Sequence, residues 1–354
     1  MSINDLRSKI SNIDKEIIEL LNKRAETSLL IGEYKRRKGL SIYDMAREQE
    51  VLNNLYSLVK EPLKNSHIEY IFKEIFSCSR YLQTPAKVAF LGPECTYSHL
   101  AAIKFLGSSY DYIPVKTIND VFFEVEKESV DFGIVPIENS TEGMVTYTLD
   151  VMMDSDVKIY SQVYMNIHHN LVSKAKEVSD IKVLCSHPQP IAQCRNWIEI
   201  NMPNVKIKEM NSTAQAVEYA AKNDTVAAIA SIDAAVKHNL FVLYKNIEDK
   251  VNNVTKFLIV SKQDPIKGKL NKTSIMFSIK DDIGALYNML LPFKENDINL
   301  TKIESRPTKK KAWEYVFFVD FLGHKDDEKV KEALDMLEKK CLFLKIFGSY
   351  PINK

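Results

Sequence analysis

The sequence predicts a multidomain chain: an all-α three-helix unit, an α/β unit of two lobes, and an α+β ferredoxin-like unit. Three observations carry that expectation. Through residues 1–84, apolar residues recur at spacings of three and four, the rhythm of buried helical stripes. From Thr84-Pro85 onward, short runs rich in Val, Ile and Phe alternate with helical stretches across 86–262. After the Lys/Gly linker Asp264–Lys269, the order over 272–351 becomes strand, helix, strand, strand, helix, strand, a ferredoxin-like split.

Composition bounds the function. With 354 residues, 45% of them apolar and 27% charged, the chain reads as an ordinary globular protein of two or three domains. A formal net charge of +1 argues against nucleic acid or an acidic membrane surface as the main partner, so anions must be met by local Lys and Arg clusters. The opening MSINDLRSKISNIDKEI has no apolar segment or cleavage pattern, so no secretion signal is expected. No stretch approaches about 18 uncharged apolar residues, so no membrane span is expected. Cys78, Cys95, Cys185, Cys194 and Cys341 are odd in number and form no CxxC pair, which fits a reducing, cytoplasmic setting.

In the helical part, Ile3, Leu6, Ile10, Ile13, Ile17, Leu20 and Leu21 define one stripe, with no Gly before Gly32 and no Pro before Pro62. A first helix of about 35 residues would run roughly 50 Å, too long for this unit to cover alone. A second chain is therefore expected to complete its core, giving a homodimer or homotetramer. Helices follow at 44–60 and 66–83. Helical geometry puts Arg24 and Lys35 on one face, and pairs Asp44 with Glu48, beside Arg47, and Ser79 with Gln83. Spacing alone leaves these as solvated faces.

In the middle part, KVAFLG, DFGIVPI, IKVLCS, VKIKEM, TVAAIAS and KFLIVS read as strands, with helices at Ala192–Ile200 and Ala214–Ala221. Mainly parallel sheets and a cleft between two lobes are expected. GPECTYSHLAA opens a helix after the strand Lys87–Leu91; Thr96 and Ser98 are N-cap candidates, and a helix N-terminus favours anions. Cys95/His99, His168-His169 and Cys185/His187 lack paired zinc spacing, so no metal is expected. No GxG pair occurs, so no dinucleotide cofactor is expected either. In the last part, strands at Thr273–Ile279, Asn299–Glu304, Trp313–Phe321 and Leu342–Ser349 frame helices at Ala285–Glu295 and Glu328–Lys340.

LRSKISNID, LLNKRAETSLLIGEYK, YDMAREQEVL and FSCSRYLQ resemble the site segments of the all-helical chorismate mutase family. The resemblance implies a site formed by Arg7, Arg24, Lys35, Asp44, Arg47, Glu48, Ser79 and Gln83. Rearranging chorismate to prephenate is unimolecular and needs no nucleophile or metal. Arginine forks suit the two carboxylates. A lysine and an amide suit the ether oxygen as it gains charge, a role the resemblance gives to Lys35 and Gln83, while Glu48 holds the ring hydroxyl. On one helix Arg7 and Arg24 lie about 25 Å apart. Arg7 is therefore expected to serve the partner chain's site in an intertwined dimer.

DFGIVPIENSTEGMVTYTLD, VLCSHPQPIAQCRNWI, NSTAQAVEYA and IEDKVNNVTKFLIV, in that order, resemble the prephenate dehydratase domain. That implies two α/β lobes, periplasmic-binding-protein-like, converting prephenate to phenylpyruvate with loss of water and CO2. Aromatisation drives the reaction, so the site must protonate a poor leaving group and hold carboxylates. By resemblance Thr255 donates to the leaving hydroxyl, and Glu138 is an alternative general acid if burial raises its pKa. Glu138, Asn139 and Ser140 would line the cleft; Ser212, Thr213 and Lys256 would contact carboxylates. Two departures stand out. Lys256 replaces the family's usual Arg and loses the bidentate fork. Cys95 replaces its usual Gly.

DDIGALYNMLLPF and NLTKIESRPTKKKAWEYVFF resemble an ACT regulatory domain of the dehydratase type. The resemblance implies an L-phenylalanine site at Gly284, Ala285 and Leu286 and at Glu304, Ser305, Arg306 and Pro307, with feedback inhibition through subunit rearrangement. Ile283 stands where Pro commonly precedes the Gly. The rival from another class is a non-catalytic binding protein joined to an amino-acid sensor. Turnover of chorismate separates the two.

Overall fold

The computed structural model describes residues 1–352 except Ser41, Val251, Lys280, Asp281 and 308–314. It divides into two compact units, one of Met1–Ala86 with Leu106–Asp111, the other of Lys87–Phe105 with the chain from Tyr112 onward.

The first unit holds α1 (Ile3–Lys38), α2 (Met45–Tyr56) and α3 (Asn65–Gln83). Ser2 and Asp5 form a reciprocal capping box at the start of α1, with bonds of 3.2 and 2.7 Å. Gly39, at φ 63°, ends it after a basic last turn. The long first helix is as expected, and so is its uncovered face: Ile10, Ile13 and Ile17 are 59%, 49% and 48% exposed in the single chain. Gly32 is required by close approach, because a Cβ there would lie 2.8 Å from Gln83 Cγ and 3.1 Å from its Cα.

Sequence reading missed the segment Leu106–Asp111, which clusters with the helices. Gly107, at φ 87°, lets the backbone sit against Ser77. Ser109 N–H donates to Ser77 Oγ at 3.2 Å, and Ser108 donates to Glu74 from both N–H and hydroxyl.

The second unit begins with a lobe of β1 (Lys87–Leu91), α4 (Tyr97–Leu106), β2 (Asp111–Val115), α5 (Ile118–Glu126), β3 (Phe132–Asn139), β4 (Gly143–Met144), α6 (Thr146–Asp154) and β5 (Lys158–Asn166). The chain then builds a second lobe. Its elements are β6 (Asn170–Ser173), β7 (Val183–Ser186), α7 (Pro188–Gln193), α8 (Arg195–Asn201), β8 (Lys206–Glu209), α9 (Thr213–Ala220), β9 (Val226–Ala230), α10 (Ile232–Lys237) and β10 (Phe241–Tyr244). It returns to the first lobe as β11 (Val254–Ser261). The sheet orders are β2-β1-β3-β11-β5, with β4 on β3, and β10-β6-β9-β7-β8.

The expectation of mainly parallel sheets is corrected to mixed ones. Pairs β1/β3, β7/β8 and β7/β9 are parallel, but β11 runs antiparallel to β3 and β5, and β6 to β9 and β10. The cause is the double crossing. β5 leaves the first lobe beside the β11 that re-enters it, and β6 enters the second beside the β10 that leaves. The helix expected at Ala192–Ile200 begins earlier, at Pro188, where proline costs no helical bond, and breaks at Cys194.

The C-terminal part is β12 (Asn271–Ser278), α11 (Ala285–Glu295), β13 (Leu300–Pro307), β14 (Tyr315–Leu322), α12 (Glu328–Glu338) and β15 (Phe343–Pro351). Its antiparallel sheet, ordered β13-β14-β12-β15, is ferredoxin-like as expected. Trp313, the expected start of the third strand, lies outside the described residues. One face of this sheet shares a core with the first lobe: Met276, Phe318, Phe347 and Tyr350 pack with Val135, Ile137, Leu149 and Leu258.

Candidate active sites

In the helical unit, Arg24 on α1 donates to Ser79 Oγ on α3, which in turn donates to the Ile75 carbonyl at 2.7 Å. Burial lowers the Arg24 pKa, opposed by the nearby Glu48 carboxylate. Lys35 Nζ donates to the Ile42 carbonyl at 3.1 Å, and Asp44 caps α2 by accepting from Arg47 N–H at 3.0 Å. The Arg47 side chain instead turns outward to Glu50 at 2.7 Å. Gln83 is 8% exposed, and its Oε1 has no hydrogen-bond partner among the described residues. Three helices thus bring Arg24, Glu48, Ser79 and Gln83 into one buried polar region. Arg7 is exposed near the other end of α1.

Sequence reasoning missed Arg80. It is 5% exposed and donates to Glu48 Oε2 at 2.6 Å, to the Leu106 carbonyl at 2.6 Å and to the Tyr110 hydroxyl at 3.1 Å. Burial works to lower its pKa, but Tyr43, Glu48 and Tyr110 outweigh that, so the net shift is upward.

In the two-lobed part, strand pairing sets Thr255 opposite Asn139 and Lys256 opposite Glu138. Successive side chains alternate across a sheet, so these two pairs occupy opposite faces. On the first face, Asn139 Nδ2 donates to Thr255 Oγ1 at 2.8 Å and to Asn253 Oδ1 at 2.7 Å. Asn253 Nδ2 donates to Gln193 Oε1 at 3.0 Å, and Gln193 Nε2 to Glu142 Oε1 at 2.8 Å. Both ends fix the amide orientations: the Glu142 carboxylate only accepts, and Asn139 Oδ1 accepts the N–H groups of Thr141 and Glu142 at 3.0 and 3.2 Å. Because Thr255 Oγ1 accepts a hydrogen bond from Asn139 Nδ2, its own O–H is left to donate elsewhere.

A second layer supports this chain. His169 shares Gln193 Oε1 at 2.7 Å, and burial lowers its pKa, opposed by that bond. Glu248 takes His168 Nδ1 at 2.8 Å and His169 N–H at 2.9 Å, while the Tyr97 hydroxyl bonds to the His168 backbone. Burial pushes the Tyr97 phenol well above its ordinary value. Asn253, Gln193 and Glu248 were not singled out from sequence, although each lies within a quoted motif.

Ser140 does not join Thr255. Its hydroxyl donates to the Asn252 carbonyl at 2.8 Å and accepts Val254 N–H at 2.9 Å, tying β3 to β11. Ser212 caps α9, accepting Gln215 N–H at 3.1 Å, and Thr213 opens that helix. Ser212 lines a cavity of about 650 Å³ between the lobes, with Gly92, Pro93 and Lys116 opposite. Thr255 and Asn139 are not among the residues lining it. Cys95, beside this turn, sits at φ 64°, a conformation that favours glycine.

The opposite face of β3 and β11 meets the ferredoxin-like sheet. Glu138 pairs with Lys302 on β13 at 2.6 Å, and Lys256 lies 3.6 Å from Asp320 on β14 and 3.9 Å from Glu138. Glu138 and Lys256 therefore do not sit with Thr255. Four residues beyond Lys302 on β13, Arg306 pairs with Asp150 on α6 at 2.8 Å. Glu304 shares that half-buried side of β13, while Ser305 and Pro307 are exposed. Gly284, at φ 76°, caps α11, with Ala285 and Leu286 in its first turn. Asp281 and 308–314, which flank these motifs, lie outside the described residues.

Among the described residues, no group of three or more His, Cys, Asp or Glu is placed to hold a metal ion. None of the described helices is long and apolar enough to cross a membrane.

Three family models match: chorismate mutase type II over 6–84, prephenate dehydratase over 88–265, and the ACT domain over 273–338. A bifunctional chorismate mutase/prephenate dehydratase from Aquifex aeolicus is 44% identical over 99% of this chain and 98% of its own length. The protein of that description from Pseudomonas aeruginosa is 38% identical over 98% and 96%. A solved prephenate dehydratase from Arthrobacter aurescens, in complex with L-Phe, is 33% identical, covers 75% of this chain and 90% of its own, and superposes with a TM-score of 0.70. With its helical, two-lobed and ferredoxin-like parts all matched in order, the chain belongs to the bifunctional chorismate mutase/prephenate dehydratase family.

Proposed function

We propose that the helical unit rearranges chorismate to prephenate and that the two-lobed part dehydrates and decarboxylates prephenate to phenylpyruvate, in L-phenylalanine biosynthesis. The observation that carries the second step is the Asn139–Thr255 hydrogen bond, which leaves the Thr255 proton for the departing hydroxyl. Loss of that hydroxyl and of CO2 aromatises the ring, so positioning and one proton suffice. Ser212 and Thr213, at a helix start on the inter-lobe cavity, suit a carboxylate. Glu138 lies on the opposite face of β3, ion-paired with Lys302, so the geometry favours Thr255 over it as the donor to that hydroxyl. In the mutase, Arg24 and Arg47 hold carboxylates, Lys35 and Gln83 face the ether oxygen, Glu48 takes the ring hydroxyl, and Asp44 and Ser79 orient their neighbours.

The exposed apolar stripe of α1 and the distance of Arg7 from Arg24 support a homodimer in which Arg7 completes the partner's site. Mixing Arg7→Ala and Arg24→Ala chains restores part of the mutase activity on this reading. No recovery despite demonstrated subunit exchange would refute it.

L-Phenylalanine is the feedback inhibitor, bound by Gly284–Leu286 and Glu304–Pro307. Strand β13 offers a route to the dehydratase, since Arg306 and Lys302 hold Asp150 and Glu138. Measuring phenylpyruvate formation from prephenate by Thr255→Ala tests the dehydratase assignment: turnover should vanish while chorismate is still consumed, and near-normal dehydration would overturn it.

A further inference from the structure

Glu48 is held by a residue that the mutase reading does not use. Arg80 Nη1 donates to both Glu48 carboxylate oxygens, the bond to Oε2 being 2.6 Å. The rest of its guanidinium is also occupied: Nη2 meets the Leu106 carbonyl at 2.6 Å, Nε meets the Tyr110 hydroxyl at 3.1 Å, and the Tyr43 ring lies 4.8 Å from Cζ. At 5% exposure Arg80 is sealed from any substrate, whereas the Glu48 side chain is 26% exposed. A carboxylate has lone pairs enough to accept from Arg80 and from a hydroxyl on its open side. Leu106 and Tyr110 belong to a stretch that matches the dehydratase in sequence but clusters with the helices in space.

We infer that Arg80 is a positioning residue for the mutase reaction, fixing Glu48 for the ring hydroxyl of chorismate, and that Leu106 and Tyr110 anchor it from beyond the mutase sequence. The inference rests on the mutase reading and on the role of Glu48 within it. A buried guanidinium aimed by a backbone carbonyl and a phenol has little freedom, so the carboxylate it grips is preorganised. Loop 106–111 is then a working part of the first site, and a change there acts on the mutase.

Full-length variants test this. Arg80→Gln should lower mutase kcat/KM roughly ten- to a hundredfold, the usual cost of losing a charge-assisted bond at a reacting group, with dehydratase kcat/KM unchanged. Arg80→Lys should recover part of it, because one donor returns. In a Glu48→Gln background the same Arg80→Gln change should cost less than about threefold, whereas a merely structural arginine would cost the same in both backgrounds. Should Arg80→Gln fail to fold, Tyr110→Phe removes one anchor alone and should lower mutase kcat/KM a few fold. Wild-type chain without chorismate turnover would refute the underlying mutase reading. Wild-type turnover with Arg80→Gln or Tyr110→Phe at wild-type rate, or equal losses in both backgrounds, would overturn the inference.

Discussion

Asn139 donates its amide to Thr255 Oγ1 at 2.8 Å, across the β3/β11 pairing that sets the two residues opposite each other. The direction of that bond matters more than its length. The amide chain from Glu142 through Gln193 and Asn253 admits one orientation, which makes Thr255 an acceptor from the protein and a donor to whatever enters. Asn139→Ala should therefore lower dehydratase kcat by about 10²-fold, in the range of a positioned proton donor, and leave mutase turnover unchanged. Steady-state kinetics with each substrate checks it; an unaffected dehydratase would contradict the amide relay.

Cys95 occupies a left-handed backbone position at φ 64°. A residue with a Cβ costs about 1–2 kcal/mol there relative to glycine, offset in part by glycine's greater freedom when unfolded. Cys95→Gly should stabilise the chain by about 1 kcal/mol in urea unfolding. Any destabilisation would show that the thiol's packing outweighs the strain.

The His169 pKa is lowered by burial, with the Gln193 bond opposing. The unfolded chain then binds a proton near the ordinary histidine pKa that the folded chain refuses. Stability should fall as pH drops from about 6.5 toward the lower folded value, and hold above it. His169→Gln should flatten that part of the profile; an unchanged acid slope would contradict it.

Asp150 and Lys302 lie on the contacts linking the ACT strand β13 to the dehydratase lobe. Asp150→Asn should raise the phenylalanine concentration for half-inhibition about tenfold, a coupling loss of ~1.4 kcal/mol, and leave uninhibited dehydration intact. Equal inhibition of variant and wild type would remove β13 from the route.

What was legible in the sequence followed from periodicity and local motifs. The long first helix, the two-lobed order and the βαββαβ end could all be read, because each is written in neighbouring residues. Sheet direction was misread because the antiparallel entry of β11 depends on where the chain crosses between lobes, which no strand records. The face each strand residue occupies was also hidden. Glu138 and Asn139 are adjacent in one motif, yet one meets Lys302 and the other Thr255. Arg80 escaped notice because its partners Glu48, Leu106 and Tyr110 are brought together only by the fold. The Cys95 departure was visible as an odd residue, and its backbone angle supplies the reason a glycine would suit.

The central claim is that one chain carries both reactions in sequence under control by the product amino acid. The most direct measurement supplies the full-length protein with chorismate and follows chorismate and phenylpyruvate together, with and without L-phenylalanine. Chorismate should be consumed, phenylpyruvate should accumulate, and saturating L-phenylalanine should suppress the second product. Chorismate left unconsumed, or phenylpyruvate formation indifferent to phenylalanine, would contradict the account.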